Sequence, residues 1–109
     1  MKTTAQRKRE RKTARLEKHW GPDGFVEWCK TMNCVVTGQS GVELHHVKSR
    51  GSGGTWKDIV PLSPEKHREL HRIGVKSFEE RYTISLRAKA LLIHGWWLSH
   101  EAGEEVMPF

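Results

Sequence analysis

The hydrophobic pattern of this chain starts late. Residues 2–18 hold eight Lys or Arg (Lys2, Arg7, Lys8, Arg9, Arg11, Lys12, Arg15 and Lys18) against Glu10 and Glu17, with almost no apolar side chains between them. The residues up to Gly21 and Pro22 are good helix formers. A helix without an apolar stripe is marginal alone in water, however, and orders best on a phosphate backbone. Residues 1–22 therefore read as a basic arm or helix outside the core. The apolar pattern begins with Phe25, Val26 and Trp28. A β-branched run follows at 34–38, closed by turn residues up to Gly41, and a second run at 42–47 predicts the other strand of a β-hairpin. Residues 48–54 have no periodicity and three glycines, which predicts a surface loop.

After a short apolar stretch at 58–62, Ser63, Pro64 and Glu65 supply an N-cap, a first-turn proline and a first-turn acid. They predict a helix over 64–72, with Gly74 at its C-terminal end. Ser77 to Glu80 reads as a capping box that opens another helical stretch, renewed at Ser85 and running to about His94. Phe78, Tyr82, Leu86, Ala90 and Ile93 recur at helical spacing and are the expected core, with Trp96 and Trp97 extending the apolar surface. The pattern as a whole predicts an α+β domain over 23–100, followed by a tail over 101–109.

With 109 residues there is room for one folding unit and no second enzyme domain. A core this small gains from a staple such as a bound metal. The formal charge of +6 and pI near 9.6 point to a polyanionic partner, DNA first among them. No run of about 18 apolar residues exists and the N-terminus is charged, so the expectation is a soluble, cytoplasmic protein without a membrane partner. Cys29 and Cys34 are expected to be reduced thiols. Without coiled-coil heptads a monomer is expected, and the tryptophans near 96 are the one hint of association.

Two pairs of histidines carry the chemistry. His67 and His71, four apart on a helix, project from one face and can share a metal ion. His45 and His46 end a strand, where neighbouring side chains diverge. One can face the metal while the other stands across a gap wide enough for a phosphodiester. In-line displacement at phosphorus needs a base beside the attacking water and a Lewis acid near the leaving oxygen, and a divergent pair serves both sides.

The run His45-His46-Val-Lys-Ser-Arg-Gly-Ser-Gly-Gly, then Asp58-Ile-Val-Pro-Leu-Ser, then His67-Arg-Glu-Leu-His71 resembles the HNH nuclease motif in order and spacing, and the chain is similar to short bacteriophage members of that family. The resemblance covers about residues 34–74. It implies a ββα-metal finger made of a β-hairpin, a glycine-rich loop and a metal-binding helix, with helices added behind. It also implies DNA cleavage to a 5′-phosphate and a 3′-hydroxyl, as a nick or a cut. By position His46 would be the general base, and His45, His67 and His71 the ligands of one divalent metal ion. Asp58 stands where the family usually has asparagine, so it would brace the loop or join the metal site. Ser63 and Lys66 occupy the places of a second cysteine pair, which argues against a zinc knuckle.

Three imidazoles favour zinc, nickel, cobalt or manganese over magnesium, and the working ion stays open among these five. Lys48, Arg50, Arg68 and Arg72 lie beside the motif, and Arg7, Lys8, Arg9, Arg11 and Lys12 lie in the arm; all are candidates to neutralise phosphates. Two other functions fit the same residues. One is a non-catalytic DNA-binding protein built on a structural zinc, in which His46 would be superfluous. The other is an accessory protein in phage recombination or packaging, docking a phage or host partner through Trp96, Trp97 and Leu98.

Overall fold

The structure is a computed structural model that describes residues 1–104; the Val-Met-Pro-Phe end of the expected tail lies outside the described residues. It is an α+β fold: helices α1 (Thr4–Trp20) and α2 (Phe25–Lys30), strand β1 (Glu43–His46), strand β2 (Ile59–Leu62), then α3 (Pro64–Ile73), α4 (Val75–Tyr82) and α5 (Leu86–Glu101). No helix is long and apolar enough to cross a membrane.

The strand pairing differs from the expected hairpin. β1 pairs antiparallel with β2, Glu43 opposite Leu62 and His46 opposite Ile59, and the glycine-rich segment forms their connection. Residues 34–37 form a turn, in which Gly38 N–H donates to the Cys34 carbonyl at 2.9 Å and Cys34 N–H to the Gln39 carbonyl at 2.8 Å. The β-branched run touches the sheet through Val35 N–H, which donates to the Pro61 carbonyl at 3.2 Å. Both main-chain groups of a strand residue face the same edge, so Pro61 turns its missing N–H away from β1 and its ring does not interrupt the ladder.

β2 is buried throughout, while β1 is half exposed. That asymmetry packs one strand into the core and leaves the other to present its histidines. Phe25, Cys29, Met32, Ile59, Val60, Leu62, Leu70, Phe78, Leu86, Ile93 and Trp97 form the core with Cys34 and Ala90. Both cysteines are free and buried, and burial raises the Cys29 thiol to about 12, which keeps it inert. Trp97 is 3% exposed and its ring lies 5.2 Å from Phe25 and 5.3 Å from Trp28. It is core, so the surface expected at 96–98 loses its central residue. Trp56 also packs against the core, with its ring 5.0 Å from Phe25.

Ser63 caps α3 by accepting from Lys66 N–H at 3.2 Å, with Pro64 in the first turn. Gly74, at φ +87°, closes α3 and opens α4, since its N–H donates to Leu70 and its carbonyl accepts from Phe78. The second helix therefore starts two residues before Ser77, which lies exposed inside its first turn instead of capping it. Ser85 caps α5, and the helix continues past His94 to Glu101. The corner between α3 and α4 is polar: Glu69 receives Lys66 at 3.0 Å, Arg81 at 2.7 Å and the Tyr82 hydroxyl at 2.6 Å.

Candidate metal and nucleic-acid site

α3 carries His67 and His71 on one face, and β1 brings His45 against them. One ring nitrogen from each lies within 4.8 Å of the others. His67 Nε2 is 3.3 Å from His45 Nδ1 and 3.1 Å from His71 Nε2. Glu43 decides the tautomer: its Oε1 lies 3.1 Å from His67 Nδ1, and a carboxylate can only accept, so the proton sits on Nδ1. With Nδ1 engaged by Glu43, Nε2 is the nitrogen turned between the other two imidazoles, the arrangement in which a carboxylate backs a metal-binding histidine.

His45 is half-buried, and its Nε2 is fully buried without a hydrogen-bond partner among the described residues. Burial, followed by the charges of His67, His71 and His46, pushes its pKa down to about 4. At neutral pH the ring is uncharged and offers a lone pair. Three converging imidazoles fit a divalent cation, with coordination positions left for water or an oxyanion.

His46 belongs to the opposite side. Its Nε2 lies 2.6 Å from the His19 carbonyl at the end of α1 and must donate, which leaves Nδ1 as the basic nitrogen. The Trp20 ring packs edge-on against it at 4.5 Å. Burial lowers the His46 pKa below its ordinary 6.5, with Arg50 and His19 adding to the shift, while the His19 carbonyl and Asp58 oppose it.

His19 was not legible as a site residue. It stands in a charged run with no motif, and only the packed end of α1 reveals it. Its Nδ1 donates to the Gly54 carbonyl at 2.9 Å. Thus one residue grips His46 through its main chain and the glycine loop through its side chain. Gly54 is buried, and a Cβ there would run into the Lys48 carbonyl. Asp58 braces this loop: its Oδ2 accepts from Thr55 N–H at 2.8 Å, and its carbonyl accepts from Val47 N–H at 2.8 Å. It is not among the residues whose donor atoms converge at the three-histidine cluster.

Of the basic candidates, Arg50 and Lys12 line one open hollow with Arg15, Leu16, His19, Trp20 and Gly51. Lys48 lines a separate hollow with Asp58 and Arg87. Arg68 and Arg72 are exposed on α3 and line neither hollow, and Arg7, Lys8, Arg9 and Arg11 are exposed along α1.

Compared with known proteins, residues 12–94 match the model of the family described as "Protein of unknown function (DUF968)". No curated protein and no solved structure matches the chain.

Proposed function

The chain belongs to the DUF968 family, and from the chemistry of its site we propose that it is a metal-dependent endonuclease of the HNH type, hydrolysing phosphodiester bonds in DNA. The observation that carries the reading is the division of labour between adjacent residues. His45 turns to His67 and His71, while His46 is tied to the His19 carbonyl and keeps Nδ1 free as a base. The sequence β1, glycine loop, β2, α3 supports the ββα-metal reading of this α+β fold, with the loop between the strands.

His46 Nδ1 takes a proton from the attacking water, whose oxygen bonds to phosphorus as the bond from phosphorus to the 3′ oxygen breaks; the departing oxygen takes a proton from solvent water, giving a 5′-phosphate and a 3′-hydroxyl. A divalent cation held by His45, His67 and His71 would supply Lewis-acid stabilisation of the developing charge. Glu43 holds His67 in the tautomer that keeps its Nε2 available. Asp58 and Gly54 keep the loop in the shape that meets α1, and His19 fixes the ring of His46. A structural zinc is the weaker reading, because structural sites are closed by four protein ligands and the described residues gather three.

The test uses metal-stripped protein and supercoiled plasmid, with magnesium, manganese, nickel, cobalt or zinc added separately. Relaxation with at least one ion and none without it is the expected result. Intact plasmid under every ion, from protein that binds one equivalent of metal, would overturn the proposal.

A further inference from the structure

α1 has an unusual distribution of charge for a helix that buries nothing. Lys8, Lys12, Arg15 and His19 follow one another by four, three and four residues, which places them on one face. Glu10 and Glu17, seven apart, fall on the opposite face, where Glu10 pairs with Lys2 at 2.9 Å. The cationic face has no acid among its members. Lys12, Arg15 and Arg50 have no ion-pair partner among the described residues, and the hollow they line with Gly51 and Trp20 contains no carboxylate. None of these cations is needed for packing, since α1 buries no residue.

The hollow measures about 580 Å³ and is lined in part by His19 and Trp20, both of which touch His46. Arg50 approaches from the loop and lies 5.9 Å from the Trp20 ring. From His19 to Lys8 the helix rises about 16 Å at 1.5 Å per residue. The inner end of α1 is also fixed in direction, by the hydrogen bonds of His19 to Gly54 and to His46.

We propose that the Lys8, Lys12, Arg15 and His19 face of α1, with Arg50 at its inner end, is a track for one DNA strand. The hollow seats a phosphate flanking the one to be cut. The track rests on the nuclease reading for its end point at His46, but its affinity does not depend on cleavage. It assigns Arg15 and Arg50 to the flanking phosphate, leads Lys12 and Lys8 outward along the strand, and makes His19 the joint between binding surface and base.

The test uses metal-free full-length protein and a fluorescein-labelled duplex of about 20 base pairs, with anisotropy read from 50 to 200 mM salt, the range over which phosphate contacts show their salt dependence. The double variant Lys12→Ala/Arg15→Ala is compared with Lys18→Ala/Lys76→Ala, which removes the same charge from exposed positions off the track. Alanine favours the helix, and circular dichroism checks that α1 persists. Each phosphate contact contributes about 0.9 to the slope of log affinity against log salt, so the track pair should flatten it by about 1.8. The control pair should change it by less than half as much. Equal changes in the two pairs, or none in the track pair, would overturn the track. Plasmid cleavage with manganese restored is scored separately. A protein that cuts while its two pairs behave alike loses the track and keeps the nuclease; one that shows the expected slopes and never cuts loses the nuclease and keeps a DNA-binding face.

Discussion

The two longest helices are held to the molecule in opposite ways. α5 packs Leu86, Ala90, Ile93 and Trp97 into the core, whereas α1, of nearly equal length, buries none of its residues. The last turn of α1 is attached by the partly buried Trp20, which packs against the edge of the core and edge-on to His46, and by two polar contacts, the His19 side chain on Gly54 and the His19 carbonyl on His46. Burial contributes stability in proportion to area and without direction. Hydrogen bonds contribute little net stability each but fix orientation. Damage to α5 should therefore unfold the protein, and damage to the end of α1 should leave it folded with a misplaced base.

The largest effect is expected for Trp97→Ala, which removes a ring packed on Phe25 and Trp28 and should cost about 3–5 kcal/mol in urea unfolding. A cost below about 1 kcal/mol would mean that α5 is not held by burial. Next in size is Gly54→Ala. Its Cβ meets the Lys48 carbonyl, so the loop must move; overpacking of this kind costs about 1–3 kcal/mol, and plasmid nicking should fall with it.

His19→Ala should lower the nicking rate by about tenfold while the unfolding free energy changes by about 1 kcal/mol. His19→Asn should recover most of the rate, because the asparagine amide nitrogen stands as many bonds from Cα as His19 Nδ1 does. Equal rates for the two variants would remove the side chain from the positioning role.

The smallest effect concerns the polar corner of α3 and α4. The Tyr82 hydroxyl, then Arg81 and Lys66, hold the Glu69 carboxyl down from 4.5 to about 2. A folded pKa below the unfolded one means that the unfolded chain binds protons first. The stabilisation is full above pH 4.5 and is lost as pH falls toward 2. Glu69→Gln should flatten the stability curve in that window, measured by urea midpoints against pH. An unchanged acid limb would show that the contacts contribute nothing.

Local signals in the sequence were read reliably where the chain satisfies its own backbone. Ser63 with Pro64, Gly74 and Ser85 mark helix ends because the groups they cap lie within four residues. The strand pairing was misread because nothing local distinguishes two β-branched runs joined by a turn from one strand whose partner lies across the glycine loop. Cys34 and its neighbours spend their hydrogen bonds on a turn, and β1 finds Ile59 to Leu62 instead. Ser77 failed as a cap because Gly74, at positive φ, reverses the chain and starts α4 two residues earlier. His67 and His71 were legible as a pair from their spacing on one helix face, whereas the choice of His45 over its neighbour rested on the resemblance to the HNH motif; the structure brings the three together. The partner of His46 could not be read, because it is a backbone carbonyl, 27 residues away in sequence, of a helix with no apolar stripe to reveal that it docks.

In the proposed mechanism His46 is the base and His45, His67 and His71 are the metal site, and one variant separates the two roles. Wild type and His46→Ala would be titrated with manganese after stripping, then assayed on supercoiled plasmid at saturating metal. By that assignment both proteins should bind one equivalent of metal, and nicking by the variant should fall by about 10² or more, the range for loss of a general base. A variant that binds metal and nicks at the wild-type rate would contradict it.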